Sequence, residues 1–282
     1  MVENRPWLNF FSHCSLWLAI LLICFPIYLA FIASTHTATD VVAVPISLLP
    51  GDQLIQNYTT ALVGNDSSDG ALSVSRMLWV TFTMTLLIAI GKISISLLSA
   101  FAIVYFRFPL RGLVFGLIFV TLMLPVEVRI IPTYEVVVNL GMINSYAGLT
   151  IPLIASATAT FLFRQFFATV PQELLEASKM DGAKAMTFFK DILVPLSIPS
   201  IAALFVIQFI YGWNQYLWPL LMTTSEEMFS LGIGLRQMID SGGGPINWNI
   251  VMASVILMLI PPTVVILLMQ KWLVKGLIDS EK

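Results

Sequence analysis

Residues 16–33 read LWLAILLICFPIYLAFIA, which is eighteen residues without a charged side chain. A helix needs roughly 20 apolar residues to cross the hydrocarbon layer of a membrane. With the residues before it, this run is long enough, and it exceeds the hydrophobic region of about 7–15 residues found in signal peptides. We therefore interpret it as a first membrane span that the protein retains.

The composition of the whole chain agrees with a membrane location. Hydrophobic residues make up 58% of the 282 residues and charged residues 11%, and the mean hydropathy is +0.89. A soluble domain carries roughly 25% charged residues, so this chain lacks the charges for a water-facing surface. The net charge of −2 and the absence of a basic block in the sequence argue against a nucleic-acid partner. The positions of Cys14 and Cys24, in or beside the first run, favour free thiols over a disulfide.

Five further segments are apolar over a comparable length. They predict an all-α, polytopic protein with six transmembrane helices in one membrane domain over residues 1–282. The predicted spans cover about residues 10–33, 77–106, 113–132, 146–167, 198–222 and 251–269. The fourth is the least apolar, and its small and hydroxylated residues Ser156, Thr158 and Thr160 predict a helix packed inside the bundle.

The distribution of Lys and Arg predicts the orientation of the spans, because cytoplasmic loops carry an excess of these residues. With both termini in the cytoplasm, ten cations fall inside and three outside, while Lys92 lies within the second span. The outer three are Arg76, Arg129 and Arg236, and the inner ten are Arg5, Arg107, Arg111, Arg164, Lys179, Lys184, Lys190, Lys271, Lys275 and Lys282. This orientation makes residues 34–76 a long outer loop and residues 168–197 a long inner loop.

The inner loop has a distinct local pattern. Thr169 and Gln172 fit a capping box, while Pro171 fits a first helical turn, and the two signals differ by one residue on where the helix begins. Residues 172–180 all suit a helix, and Gly182 suits its C-terminal stop. A second short amphipathic stretch follows at 185–193, before Pro195 and Pro199. By spacing alone, this could be an interfacial helix with Phe188 and Phe189 in lipid.

The residues of this loop are similar to those of a known family. Glu176, Ala177 and Ser178 are followed after three residues by Gly182, after nine more by Ile192, and then by Pro195. This resembles the EAA loop of permease subunits in binding-protein-dependent ABC importers, where Glu-Ala-Ala, Gly, Ile and Leu-Pro have the same spacing. Ser178 replaces the usual Ala and Val194 the usual Leu, and both changes are small. The six spans, with this loop between the fourth and fifth, match the sugar-type branch.

Longer stretches resemble the members of this family that import glycerol-3-phosphate. The resemblance implies that cargo and leaves glycerophosphodiesters open as a second one. It thins over residues 34–76 and 223–248. The stretches that carry it are residues 3–7, 98–103, 106–111, 122–129, 156–167, 209–219 and 276–282.

The resemblance also implies an assembly in a bacterial inner (cytoplasmic) membrane. A homologous second permease subunit would complete the pathway, two ATPase subunits would bind ATP and Mg, and a periplasmic binding protein would deliver the cargo. The loop 169–195 would couple to an ATPase subunit, with residues 172–183 in its cleft. ATP-driven closure of the ATPase pair would then move this helix and swing the fourth and fifth spans, which changes access from one side to the other. The implied coupling residues are Glu176, Ala177, Ser178, Asp181 and Gly182.

The residues themselves give no sign of covalent chemistry. The sequence has no phosphate-binding Gly-rich loop with Lys, no metal-spaced His or Cys cluster and no nucleophile elbow. We therefore predict no catalytic residue, no metal and no cofactor on this chain, and assign the energy source to a partner. A membrane-embedded enzyme is a distant alternative, and a passive scaffold or channel is disfavoured by the inner loop. Within the importer reading, an uncharged mono- or oligosaccharide is the alternative cargo.

Three groups of residues are candidates for the solute pathway. A charge such as Lys92 in mid-span costs ~2.5 kcal/mol or more, and it could meet a substrate phosphate or form a structural pair with carbonyls or with an acid of the partner permease. Glu127 and Arg129, between Pro125 and Pro132, could line an outer gate at a broken helix or simply lie at a polar interface. Gln208, Trp213 and Asn214 of the fifth span could face the pathway, bond to neighbouring helices, or belong to an aromatic belt.

Overall fold

The structure is a computed structural model that describes residues 6–45, 47–64, 73–121, 126–240 and 245–279. Of the side chains in these ranges, those of residues 6, 8, 9, 126, 127 and 273–279 are not described. The described chain is all-α, with no strand, as predicted. Its helices are α1 (Pro6–Ala33), α2 (Ala38–Val41), α3 (Leu54–Val63), α4 (Val74–Tyr105), α5 (Arg111–Val120), α6 (Val126–Asn139), α7 (Tyr146–Thr150), α8 (Ala157–Thr169), α9 (Gln172–Met180), α10 (Ala185–Phe188), α11 (Val194–Leu196), α12 (Ile198–Trp213), α13 (Leu217–Met222), α14 (Leu231–Ile239) and α15 (Trp248–Asp279).

Three of these helices contain apolar stretches long enough to span a membrane unbroken: Phe10–Ala33, Val74–Tyr105 and Trp248–Trp272. They correspond to the predicted first, second and sixth spans. Two bent pairs raise the number to five. The pair Tyr146–Leu153 and Ala157–Thr169 is bent by 49°, and the pair Ala185–Leu196 and Ile198–Trp213 by 72°. The polytopic helical fold is therefore confirmed, with three unbroken helices and two bent pairs that bring the total to five when each pair is counted as one span.

The predicted third span corresponds to two helices. The apolar helix α5 is ten residues long, and α6 begins at Val126 and contains Pro132. Pro125, where a break was predicted, lies outside the described residues, and so does the side chain of Glu127. If α5 and α6 together form one span, the total is six. This total is compatible with the five spans already identified.

The described chain divides into two compact units. One unit comprises the residues up to Arg76 together with Gly234–Ile260, and the other Met77–Ile233 together with the residues from Pro261 onward. One domain over residues 1–282 stays a prediction.

In the first unit, the segment predicted as an outer loop contains the helices α2 and α3. Asn57 on α3 donates from Nδ2 to the carbonyl oxygens of Ser34 (2.9 Å) and His36 (2.8 Å), and its Oδ1 accepts from Nδ2 of Asn249 (2.8 Å). Asn57 is buried, so these bonds satisfy polar groups that would otherwise destabilise the fold. Cys14 and Cys24 are exposed free thiols on α1.

The second unit has an aromatic core where α4, α8 and the segment after α9 meet. Phe188 and Phe189 are buried in it, and the ring of Phe189 lies 4.8 Å from that of Phe101 on α4. The alternative of an interfacial helix with Phe188 and Phe189 in lipid is therefore wrong. Residues Phe189–Leu193 continue the helix in π form, and the chain then bends at Ser197 into α12.

The predicted helix over residues 172–180 is confirmed as α9, but its predicted capping box is not. Val170 is extended (ψ 127°), α8 ends at Thr169, and Pro171 is the N-cap of α9. Thr169 therefore lies in the last turn of α8, where its hydroxyl donates to the carbonyl oxygen of Phe166 at 2.7 Å. A residue before proline avoids the helical region, which explains why α9 starts after this point.

Candidate functional site

The fourth predicted span breaks between residues 153 and 157. Ser156 is extended, and its Oγ accepts a hydrogen bond from the backbone N–H of Ala159 at 3.3 Å, which caps the start of α8. Oγ of Ser96 on α4 donates to the carbonyl oxygen of Ser156 at 3.3 Å. A Cβ atom added to Gly91 would lie 2.6 Å from Cγ2 of Ile154, so α4 passes this break at a distance that only glycine allows.

A cavity of about 540 Å³ lies beside this break, inside the second unit. Its volume falls within the range of roughly 300–1,000 Å³ that is typical of small-molecule sites. Helices α4, α6, α8 and α12 contribute to its wall. The lining residues are Lys92, Thr121, Arg129, Ile130, Thr133, Pro152, Leu153, Ala155, Ser156, Ala157, Thr158, Ile207, Gln208, Tyr211 and Trp218.

Lys92 is the buried cation of this cavity. It is 6% exposed, and its Nζ lies 3.6 Å from the centroid of the Tyr211 ring on α12. Among the described side chains it has no carboxylate partner. A buried ammonium costs free energy unless it is compensated, and a cation–π contact compensates only part of that cost.

The structure brings Arg129 and Gln208 to the same cavity as Lys92. Arg129 on α6, predicted to lie at an outer gate, is exposed and lines the cavity, and Gln208 on α12 is buried in its wall. The cavity therefore has two cations, and no carboxylate of a described residue lines it.

Trp213 and Asn214 are not among the described lining residues. Trp213 is buried and stacks on Phe209 with the ring centroids 5.8 Å apart. Asn214 is exposed at the C-terminal end of α12. Their predicted place in the pathway stays a prediction.

Sequence reasoning missed several groups of the cavity. Ser156 and Thr158 were predicted to pack between helices, yet both line the cavity, and so does Tyr211 of α12. Only Thr160 of the three hydroxylated residues follows the packing prediction, because it is buried on α8. The available signal was Pro152 followed by Ser156, a residue that often caps a helix, which together indicate a break within an apolar run.

The predicted coupling residues lie together in the C-terminal half of α9 and in the turn that follows it. The N–H of Gly182 donates to the carbonyl oxygen of Lys179 and the N–H of Ala183 to that of Ser178, both at 3.0 Å. With Gly182 at φ +73°, this is a Schellman motif, so the predicted glycine stop is confirmed. Glu176, Ala177 and Asp181 are exposed, whereas Ser178 is buried.

Helix α9 is attached to the aromatic core by a few apolar side chains. Val170 and Leu175 pack against the same cluster that contains Phe188 and Phe189. Its exposed residues include a large apolar side chain, Met180, which is 88% exposed. The helix thus has one face on the bundle and one face open to a partner.

Among the described residues, no group of three or more His, Cys, Asp or Glu side chains could hold a metal ion. The features that the described chain offers are the cationic cavity and the exposed helix α9.

Comparisons with known proteins identify the family. Residues 92–279 match the family of the binding-protein-dependent transport system inner membrane component. The sn-glycerol-3-phosphate transport system permease protein UgpE of Brucella melitensis is 56% identical over 282 residues. The UgpE proteins of Yersinia enterocolitica and Agrobacterium fabrum are 58% identical over 285 residues and 57% over 282 residues. Each of these three alignments covers 100% of both chains.

A solved structure supports the fold. It is the crystal structure of a bacterial ABC transporter involved in the import of the acidic polysaccharide alginate, and one of its chains has a TM-score of 0.77 and 21% identity, with 96% of this chain and 99% of that chain covered. At this identity the similarity concerns the fold alone. The chain therefore belongs to the family of binding-protein-dependent transport system inner membrane components, as a multi-pass permease subunit of the inner membrane.

Proposed function

We propose that this chain is one of two permease subunits of an ATP-driven importer that carries glycerol-3-phosphate into a bacterial cell by alternating access. Proteins named for that transport system are 56–58% identical over the full length. In this proposal, two ATPase subunits bind ATP and Mg, a second permease completes the pathway, and a periplasmic protein delivers the cargo.

The observation that carries the proposal is the buried Lys92 in the wall of the cavity. A cation at mid-membrane costs ~2.5 kcal/mol or more, so an intramembrane lysine indicates a functional role. An anionic cargo fits a cavity that holds Lys92 and Arg129 and no described carboxylate. An uncharged sugar would gain nothing from this pair of charges.

The contacts of α9 support its role in coupling to an ATPase subunit. Leu175 packs against the cluster that also contains Phe163 of α8 and Leu204 of α12. A push on α9 would be transmitted to both of these broken spans through packed side chains, because a close-packed core deforms little. The exposed residues Glu176 and Asp181 would provide acceptors for donors of the ATPase cleft.

The orientation in this proposal follows from the positive-inside rule. With both termini in the cytoplasm, α9 lies on the side where ATP is available. Residues 34–64, which include α2 and α3, then lie on the periplasmic side, where the binding protein would dock.

Reconstitution of the complete importer tests the proposed function. The chain would be co-purified with the second permease and the ATPase, reconstituted in liposomes, and supplied with the cognate binding protein. Loading that protein with glycerol-3-phosphate is expected to raise ATP hydrolysis several-fold and to drive uptake of the ester. Stimulation by a neutral mono- or oligosaccharide with none by glycerol-3-phosphate would refute the proposed cargo.

A further inference from the structure

The start of α8 offers free hydrogen-bond donors to the cavity. Helix α8 is 13 residues long, and its first backbone N–H groups have no partner within the helix. Ser156 occupies the N–H of Ala159 with its side chain and that of Thr160 with its carbonyl oxygen. No acceptor for the N–H groups of Ala157 and Thr158 is found among the described residues, and both residues line the cavity.

These donors carry a partial positive charge. The aligned peptide dipoles of a helix give its N-terminus about half an elementary charge, and such termini bind phosphate groups. Broken transmembrane helices often direct a half-helix N-terminus at the anionic group of a substrate. The 49° bend before Ala157 is a break of this kind.

Lys92 provides a second and independent indication of an anion. It is 94% buried, it lines the cavity, and its ammonium has neither a hydrogen-bond acceptor nor a carboxylate among the described residues. Its only described partner is the face of Tyr211. A ring face neutralises none of the ammonium's charge, so Lys92 keeps its capacity to bind an oxyanion.

We propose that this cavity binds the phosphate end of the cargo, with the N–H groups of Ala157 and Thr158, the ammonium of Lys92 and the guanidinium of Arg129 as its donors. This inference rests on the proposed function. It specifies that this chain binds the phosphate end of the cargo. The rest of the cargo would face the second permease.

The ligand class is a phosphate monoester in its dianionic form. Two side-chain cations and a helix N-terminus match two negative charges better than one. The ionisable side chains of the described residues that line the cavity are Lys92, Arg129 and Tyr211, and none of them carries a carboxyl group. The Tyr211 ring, 3.6 Å from Nζ of Lys92, holds the ammonium at the wall of the cavity.

The test uses the charge of the cargo itself. A phosphate monoester has its second pKa near ~6, so glycerol-3-phosphate is mainly a dianion at about pH 7.5 and a monoanion at about pH 5.5. Uptake by the complete importer would be measured at both pH values with saturating binding protein. The rate at the higher pH divided by the rate at the lower pH is the quotient that is compared among variants. All other components are shared, so their own pH dependence cancels between variants.

Lys92→Gln is expected to lower uptake at the higher pH at least tenfold and the quotient at least threefold. Lys92→Arg keeps the charge and is expected to stay within twofold of the unmodified importer. Arg129→Gln is expected to change the quotient in the same direction by a smaller factor. Arg111→Gln removes one exposed cation from the start of α5, away from the cavity, and serves as the matched control with an unchanged quotient.

The outcomes are distinct. Unchanged quotients in both Lys92→Gln and Arg129→Gln, with uptake intact in the unmodified importer, would overturn the phosphate site and leave the proposed function in place. If Lys92→Gln fails to assemble, Arg129→Gln alone decides, because Arg129 is exposed and its replacement leaves the packing unchanged. An unmodified importer that takes up no glycerol-3-phosphate would refute the proposed function and the phosphate site together.

Discussion

The side chain of Asn144 forms hydrogen bonds with Thr224, which lies in the segment just after α13. Its Oδ1 accepts hydrogen bonds from the N–H groups of Thr224 (2.7 Å) and Ser225 (3.0 Å), and its Nδ2 donates to Oγ1 of Thr224 (2.8 Å). Asn144 itself has a left-handed backbone with φ +55°, which asparagine tolerates better than most residues. One side chain thus connects the turn before α7 to the segment after α13.

Asn144→Ala is expected to destabilise the protein by about 0.5–1.5 kcal/mol, because two partly solvated backbone donors lose their acceptor. Asn144→Gly tolerates the left-handed backbone but also loses the acceptor. Comparison of the two variants therefore separates the contribution of the hydrogen bonds from that of the backbone conformation. Thermal unfolding of the purified complex in detergent measures both. If the glycine variant unfolds at the temperature of the unmodified protein, the hydrogen bonds of Asn144 contribute no stability.

Gly148 and Gly116 form a matched pair for testing close packing. Both lie in helices, but a Cβ on Gly148 would collide with the backbone carbonyl oxygen of Met142, whereas a Cβ on Gly116 would meet nothing within 4 Å. Alanine favours a helix by about 1 kcal/mol over glycine. Gly116→Ala is therefore expected to be neutral or stabilising.

Gly148→Ala is expected to destabilise in spite of that helix preference. The neighbouring backbone must move, and with it the hydrogen bond from Nε1 of Trp218 to the carbonyl oxygen of Gly148 (3.2 Å). We expect a loss of at least about 1–3 kcal/mol, typical of overpacking. Equal unfolding temperatures for the two alanine variants would show that the backbone at Met142 can move to accommodate the Cβ atom without a loss of stability.

Gly182 provides a test of coupling through backbone conformation. A Cβ at this position has open space within this chain, so any effect on the chain itself must come from its φ of +73°. Left-handed backbone costs roughly 1–2 kcal/mol in a residue with a side chain. We expect Gly182→Val to disturb the end of α9 and to lower the amount of cargo taken up per ATP hydrolysed.

Gly182→Asn is the control for this prediction, because asparagine is the next most frequent residue in that conformation. It is expected to keep most of the coupling. A loss as large as that of valine would mean that the ATPase subunit needs the bare glycine surface rather than the turn.

The inner loop was predictable because its signals are local. Residues 172–180 all favour a helix, and Gly182 can adopt the left-handed turn that stops it, so the bounds of α9 agree with the sequence prediction. The capping box failed because Pro171 imposes its own restriction on Val170. Two local signals competed at this position, and the restriction that the ring of Pro171 places on Val170 prevailed over the capping box.

The cavity was not predictable in the same way. Lys92, Arg129 and Ser156 come from three segments of the chain, and only tertiary structure brings them to one wall. Hydropathy averages over about 20 residues and therefore hid the break at 153–157 inside a continuous apolar run. Lys92 was identifiable as a candidate from its position in mid-span, because a charge at that depth is costly and usually faces a cavity or a partner.

The contact between Lys92 and Tyr211 leads to the last prediction. A cation–π interaction contributes about 2 kcal/mol when the cation is desolvated. Tyr211→Phe keeps the ring face and is expected to stay close to the unmodified protein in stability. Tyr211→Leu removes the only described partner of a buried ammonium and is expected to destabilise by about 2 kcal/mol.

A double-mutant cycle with Lys92→Met separates this contact from simple packing. If the ring acts on the charge, Tyr211→Leu costs at least about 1 kcal/mol less when Lys92 is already methionine. Equal costs with and without Lys92 would mean that the ring only fills space. Because the phosphate of the cargo would replace the ring as the partner of Lys92, saturating glycerol-3-phosphate is expected to reduce this coupling energy in the assembled importer.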